Sequence, residues 1–471
     1  MKFRHLPLLL AAFGGAFGMC LPLTGQEMAA DVAGEIGTNT ALLQARITES
    51  ARRTAGITDT IEGWARFEAA DNPEFTHPAV SEWIMIRPED DYVVKFMLGK
   101  ASDNVLHGGR QYYWHVRFGP NPSKLTSSPV HTFKTLSGAL ASKAVRFAIV
   151  QGIDPSSPQL ATALARVAAT KPDYVIFAGN SVSYDLPAGS PATTAEDLRA
   201  RWHALFAEPQ LIELLGSAGS FWLKNDHDFR YAEADAAGDR APSATLGAAI
   251  FRQQAPIVDP RNPVSLTFRV AQATRDLALW MLEAREYRSA NAAPDNKDKT
   301  LWGSSQIEWL QRSIANSSTP FRILVNPTPV VGPGFAASND THVGQQGFRT
   351  ERQAFLDQAK SSLLKDRGLI LLTASNWQYH TTTPEGLEEV SIGSLTLPLA
   401  GAVPAAGTAV SSDPRGTLTQ PFCPAQATAG FALLEVIPTE EGRPAQLKIS
   451  LIRADTGEVA YSFTRTAAAK R

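Results

Sequence analysis

The sequence predicts a mixed α/β protein in two folded parts, an all-β segment and a larger domain of strands alternating with helices. Three observations predict it. Residues 31–136 carry short stretches of apolar–polar alternation between turn residues, the pattern of half-buried strands. From Val145 onward, short apolar runs alternate with stretches whose apolar residues recur at helical spacing, as in helices packed on sheets. The chain has 471 residues, 44% hydrophobic and 19% charged, which is enough for two to three domains and too apolar for a disordered chain.

In the first part, Tyr112, Trp114, Val116 and Phe118 alternate with Tyr113, His115 and Arg117. Gly108–Gly109 before this run and Gly119–Pro120 after it read as turns. Tyr92 to Leu98 and His131 to Leu136 read as further strands, and the set predicts a β-sandwich of about 100 residues. His115 and His131 are expected on the strand surface, not as ligands. Residues 137–144 are mostly small, as in a linker.

In the second part, Phe147 to Val150, Tyr174 to Ala178, Phe221 to Leu223, Phe321 to Val325 and Leu369 to Leu372 read as strands. Leu160, Leu164 and Val167 share a helical face, as do Leu198, Trp202, Leu205 and Phe206. Leu277, Trp280 and Met281 have the spacing of another helix, and a further one carries Phe355, Ala359 and Leu363. Phe431 to Ile437, Leu447 to Ile452 and Val459 to Phe463 return to strands.

Lys plus Arg is 44 and Asp plus Glu is 46, a net charge of −2 that gives no reason to expect a nucleic-acid or anionic-membrane partner. Two cysteines, Cys20 and Cys423, build neither a disulfide framework nor a thiolate metal site. Lys2, Arg4 and His5 precede an uncharged apolar stretch from Leu6 to Leu23; Gln26 and Glu27 end it, and Ala29–Ala30 offers small residues for cleavage. Residues 1–30 therefore read as a secretory signal peptide, which places the mature chain in a secreted, periplasmic or extracellular setting. The alternative is a single membrane anchor; its length is at the short limit for a span, and Gly14, Gly15 and Gly18 weaken it as a helix. No span is expected after signal cleavage, and Cys423 is then a lone thiol, expected as a small buried hydrophobe.

In a layered α/β domain, ligands gather beyond the carboxyl ends of the strands. Four stretches stand there: Gln151-Gly152-Ile153-Asp154, Gly179 to Asp185, Asn225-Asp226-His227-Asp228 and Thr373-Ala374-Ser375-Asn376. The third is the most polar, with Lys224 before it and Arg230 after. Carboxylates and an imidazole at a strand end suit a metal or acid–base site; a solvated turn capping the next helix is the other reading.

Over nearly the whole mature chain the sequence resembles the PhoD-like alkaline phosphatases of the calcineurin-like metallophosphoesterase superfamily. Gly303, Gln306 and Trp309-Leu310 resemble the family's L-G-x-x-Q-x-x-W-L element. Asn339-Asp340 with Gly347-Phe348-Arg349, and Trp377-Gln378-Tyr379-His380 followed by Glu389 and Gly393, resemble two stretches of one subgroup. The resemblance implies a fibronectin-type sandwich over residues 31–136, then a four-layered α/β/β/α domain with two central sheets over residues 145–471. It also implies a site of two metals, among iron, calcium, manganese and zinc, that polarise a phosphate ester and generate the nucleophile.

At the four ligand motifs this chain departs from the family. Gly152 stands where a Cys or Asp is usual. The G-D-x-x-Y motif reads Gly179-Asn180-Ser181-Val182-Ser183, so Asn180 replaces the bridging Asp and Ser183 the Tyr. D-D-H-[DE] reads Asn225-Asp226-His227-Asp228, which keeps Asp226 and His227 as a metal-binding remnant and His227 as the catalytic candidate. G-D-x-H reads Thr373 to Asn376, with Ala374 and Asn376 in place of both ligands. Asp154, Asp185, Asp228 and His380 are other polar residues expected near the site. Two functions follow from these residues. One is a catalytically impaired protein without a stoichiometric metal pair, acting by binding, with a phosphate ester as the candidate ligand. The other is an active phosphoesterase with an altered metal site.

Overall fold

The computed structural model describes residues 30–58, 61–99, 105–259, 262, 266–360, 368–397, 401, 404–440 and 443–468. Residues 1–29 of the expected targeting segment, Cys20 among them, lie outside these; its last residue, Ala30, opens the first strand.

The chain enters through β1 (Ala30–Gly34), β2 (Ala41–Arg46), a short α1 (Glu49–Ala55) and β3 (Gly63–Ala70). Then come β4 (Ala79–Val80), β5 (Ile84–Ile86), β6 (Val93–Leu98), β7 (Gln111–Asn121), β8 (Lys124–Ser127) and β9 (His131–Lys134). Strands β3, β4, β5, β7, β8 and β9 form one sheet of the sandwich. Along β7 the alternation places Tyr112, Trp114, Val116 and Phe118 in the core, as their period of two requires. Gly119–Pro120 does not end β7, which runs on to Asn121 through an irregular register against β8. His115 and His131 are half-buried and face carboxylates: His115 Nε2 lies 3.2 Å from Glu68 and His131 Nε2 3.5 Å from Asp31.

The opposing strands β1, β2 and β6 do more than close the sandwich. β1 pairs in parallel with β12 (Gly219–Trp222), so these three strands continue a nine-stranded sheet. Its other strands are β10 (Val145–Val150), β11 (Tyr174–Phe177), β20 (Gly430–Ile437), β21 (Gln446–Arg453) and β22 (Val459–Thr466). A second sheet of seven strands holds β13 (Arg269–Gln272), β14 (Leu277–Met281), β15 (Phe321–Asn326), β16 (Leu369–Thr373), β17 (Gln378–Thr382), β18 (Glu388–Ile392) and β19 (Thr419–Phe422).

Side-chain parity sorts these strands into four layers. Phe147, Ile149, Tyr174 and Ile176 face inward and meet Leu279, Met281, Ile323 and Val325 of the second sheet. Their neighbours Ala148, Val150, Val175 and Phe177 face outward, under α2 (Leu160–Ala169), α3 (Ala195–Phe206), α4 (Pro209–Leu215) and α5 (Ala244–Gln254). Trp280, Leu324 and Leu371 do the same beneath α6 (Ser304–Asn316) and α7 (Arg349–Lys360). The domain is therefore α/β/β/α, preceded by an all-β sandwich. Among the described residues no helix is long and apolar enough to cross a membrane.

Leu277, Trp280 and Met281 correct the helix expected from their spacing, because they belong to β14, between β13 and β15. All five β14 residues are buried, so no polar face marks a period of two, and an i, i+3, i+4 coincidence imitates a helix. The helix-sharing face of Leu198, Trp202, Leu205 and Phe206 is α3, started by a Thr194–Asp197 capping box. Trp202 is fully buried against Phe206, Trp222 and Phe251, and its Nε1 donates to the Tyr184 hydroxyl at 2.8 Å. Trp202→Ala is expected to destabilise the protein by about 3–5 kcal/mol in urea unfolding, through the cavity it leaves under the sheet.

Candidate functional site

The loops that follow β10, β11 and β12 meet those that follow β15, β16 and β18. Ile153 N–H donates to the Asn180 carbonyl at 2.8 Å, Gln151 Nε2 to the Ser375 carbonyl at 2.8 Å, and Asn225 Nδ2 to the Pro327 carbonyl at 3.0 Å. All four sequence-predicted stretches take part in this network of loops.

Gly152 adopts φ 64°, a left-handed conformation that glycine holds without strain. A Cβ there would stand 2.5 Å from Ser394 Oγ. Ser394 follows β18, donates to the Gly152 carbonyl at 3.1 Å, and belongs to a turn whose N–H groups at Leu395, Thr396 and Leu397 also bond to Gln151 and Gly152. The room a side chain at 152 would need is filled.

Asn180 is likewise left-handed, at φ 52°. Its Oδ1 accepts from the His227 N–H at 3.1 Å, and its side chain also hydrogen-bonds Asp226. Asp228 is fully buried and accepts from the N–H groups of Ser181 (2.9 Å) and Asn225 (2.7 Å), tying the β11 and β12 loops together. Burial pushes its carboxyl up to about 7 in spite of those donors. Its role is an anchor for the two loops.

His227 Nδ1 lies 2.5 Å from Asp185 Oδ1, and Asp185 Oδ2 accepts from the Ala232 N–H at 2.9 Å. Burial opposes charge on the imidazole, but the Asp226 carboxylate, the hydrogen bond and charge of Asp185, and Asp228 outweigh it and push the ring up to about 9. Asp226 Oδ2 accepts from the Glu233 N–H at 2.9 Å. Burial works against its charge too; His227, Arg285, the Glu233 N–H and Asn180 together hold it well below the usual carboxylate range.

The other candidates fall outside this group. Asp154 Oδ1 accepts from Ser156 N–H (2.9 Å) and Oγ (2.7 Å) in a local turn. Ala374 is buried and offers only its N–H, bonded to the Asn326 carbonyl at 3.1 Å. Asn376 is half-buried, and Ser183 is buried, its hydroxyl without a hydrogen-bond partner among the described residues. His380, on β17, points to Glu388 (3.0 Å) and the Tyr461 hydroxyl (3.0 Å) and stacks on Phe463, between the edges of the two sheets.

Sequence reading missed Arg285 and noted Lys224 only as a flank of the third stretch, yet both cations are buried at the site. Arg285, 1% exposed, donates to Asn225 Oδ1 from Nε (3.1 Å) and Nη2 (2.6 Å), to the Ala234 carbonyl from Nη1 (2.8 Å) and to Asp340 from Nη2 (3.0 Å). Lys224 is buried between Glu283, at 3.4 Å, and Glu286. Arg285 follows β14, so recognising that strand would have marked Glu283 to Arg288 as another strand-end loop. Among the described residues, no group of three or more His, Cys, Asp or Glu side chains is arranged to hold a metal ion.

A sequence profile of the PhoD-like phosphatases matches residues 159–420, more than half of the chain. No curated protein matches significantly. A solved structure of PhoD is similar at a TM-score of 0.72 and 17% identity, over 94% of this chain and 90% of that one. Purple acid phosphatase PPD1 from yellow lupin (Lupinus luteus) seeds is similar at a TM-score of 0.64 and 12% identity, over 93% of this chain and 74% of that one. At these identities the likeness is one of fold.

The His227–Asp185 pair has a measurable pH signature. With the folded-state value raised from about 6.5 to about 9, the ring's contribution to stability is complete below about 6.5 and is lost as pH rises through about 9. NMR titration is expected to find the His227 imidazole protonated at pH 7.5, and Asp185→Asn is expected to lower its midpoint by roughly one unit or more.

Proposed function

The chain belongs to the PhoD-like phosphatase family, and from that membership we propose a secreted phosphatase-fold protein that has lost the family's two-metal chemistry and acts by binding. One observation carries this reading: the positions that would supply metal donors are committed elsewhere. Ser394 fills the side-chain space of Gly152, Asn180 is spent on His227 N–H and Asp226, and Ala374 has no donor atom in its side chain. Of the remaining pair, Asp226 Oδ2 accepts from the Glu233 N–H and His227 Nδ1 is paired with Asp185 Oδ1. On this reading the residues present do not fit a cation pair. The ligand proposed for the strand-end loops is a phosphate ester, held without rapid turnover. The sandwich over residues 31–136 and the layered domain over residues 145–471 are taken as the two parts of the chain, joined where β1, β2 and β6 extend the nine-stranded sheet.

A second reading, hydrolysis at an altered site, is favoured by the charged His227, which could protonate a leaving group. General acid help of that kind contributes on the order of 10²–10⁴-fold, against enhancements of up to about 10²¹ among phosphate-ester enzymes.

Purified protein is expected to contain no stoichiometric metal pair. It is expected to hydrolyse phosphomonoesters and diesters no faster than a His227→Ala control when iron, calcium, manganese and zinc are each supplied. Turnover near one per second in the wild type, absent from the control, would favour the altered-site enzyme. Reconstruction gives a second check. Gly152→Cys is expected to destabilise the protein by about 1–3 kcal/mol, from left-handed strain and the clash with Ser394, and Ser394→Gly in the same chain to recover part of that loss in thermal melts.

A further inference from the structure

The turn at residues 87–92 joins β5 of the sandwich sheet to β6 of the nine-stranded sheet, and its backbone is strained. Asp91 stands at φ 56° and Tyr92 at φ 60°; nowhere else among the described residues are two adjacent non-glycine residues left-handed. A side chain makes that conformation costly, so it persists only where surrounding contacts over-determine it. Here those contacts come from other elements. One oxygen of the Asp91 carboxylate accepts from Gln254 Nε2 at 2.9 Å and from Arg46 Nε at 3.3 Å, and lies 2.5 Å from His203 Nε2. The Glu89 carbonyl accepts from Arg199 Nη2 at 3.1 Å and from Gln253 Nε2 at 3.3 Å. Arg46 belongs to β2, Arg199 and His203 to α3, and Gln253 and Gln254 end α5. Arg52 of α1 covers Tyr92, its guanidinium carbon 3.4 Å from the ring centre. Burial works against charge on Asp91, but His203, Arg46 and Gln254 outweigh it and hold the carboxyl below its usual range.

We propose that this turn is a sprung latch: the grip of α3, α5 and β2 on the Asp91 carboxylate holds Asp91 and Tyr92 left-handed, and losing that grip lets the turn relax and come away from the two helices. Strain pulls the turn off the helices while charged hydrogen bonds pull it on, so a change at one carboxylate moves the whole turn. The device reaches beyond the turn because α3 and α5 are the helices that follow the β11 and β12 loops at the strand ends. Those loops lead into the first turns of the two helices, and the latch holds the last turns, through His203 and Gln254.

The test is hydrogen exchange at neutral pH, read by mass spectrometry on the full mature chain, with thermal melts alongside. Peptides over residues 87–93 are expected to be protected in the wild type. Asp91→Asn keeps the side-chain shape and tolerates a left-handed backbone as aspartate does, so it removes the charge alone. Its turn is expected to exchange roughly tenfold faster or more, with the ends of α3 and α5 following and β15 unchanged. Asp91→Ala and Asp91→Gly both lack the grip, but only glycine is free of the left-handed cost. The alanine variant is therefore expected to exchange faster at the turn and to melt roughly 1 °C or more below the glycine variant. His203→Ala is expected to open the turn as well, and to add little when combined with Asp91→Asn, since both remove the same grip. A wild-type turn that exchanges freely, or an Asp91→Asn turn as protected as wild type, overturns the proposal. So does an Asp91→Ala protein indistinguishable from Asp91→Gly, which would mean that no strain is held, or a double variant whose effects simply add. If Asp91→Ala fails to fold while Asp91→Gly folds, that difference itself reads the strain; if neither folds, the Asp91→Asn and His203→Ala comparison decides.

Discussion

Asn225 joins the two central sheets at their carboxyl ends. Its backbone N–H is held by Asp228, its Nδ2 donates to the Pro327 carbonyl beyond β15, and its Oδ1 accepts twice from Arg285 beyond β14. One amide thus links β12 in the first sheet to two strands of the second. The approach is close: a Cβ on Gly179 would come within 2.6 Å of the Asn225 Cβ, so the β11 loop passes tightly over it. An amide serves this seam because it both donates and accepts, whereas a carboxylate would meet the Pro327 carbonyl with no proton between them.

The remaining strand-end loops lean on this seam. Asp228 sets the β11 and β12 loops together, and Asp185 orients His227 above them. On the second sheet, Glu389 plays a comparable part. It is fully buried and accepts from the N–H groups of Val330, Val331 and Gly332 and from the Tyr379 hydroxyl. Burial raises its carboxyl while these donors lower it. Buried acids in this chain therefore hold backbone in place, and the polar character of the strand ends arises as much from architecture as from chemistry.

Much of the fold was legible because burial leaves a period in the sequence. The sandwich strand β7, the sheet-facing sides of α2 and α3 and the closing strand β22 carried it. β14 did not, since it is buried on both sides. α5 and α6 were not read as helices from spacing, although Gly303, Gln306 and Trp309-Leu310 of the latter were singled out. Cys423 is only half-buried, packed near Trp377 and Tyr379. At the candidate site, the sequence pointed to Asp226, His227, Asp185 and Asp228, which do come together. It also pointed to Asp154 and His380, whose hydrogen bonds lead elsewhere.

Residue identity alone determined which side chains were available: a glycine at 152, an asparagine at 180, an alanine at 374, and a histidine between two aspartates at 226–228. It also determined the two-part layered architecture, because strand and helix periods are local properties of the chain. Only tertiary structure decided what occupies the space those residues leave. Ser394 lies 242 positions from the Gly152 it packs against, and Arg285 lies 60 positions from Asn225. Contacts over such separations depend on how two sheets are brought face to face, and no local pattern encodes which side chain arrives there.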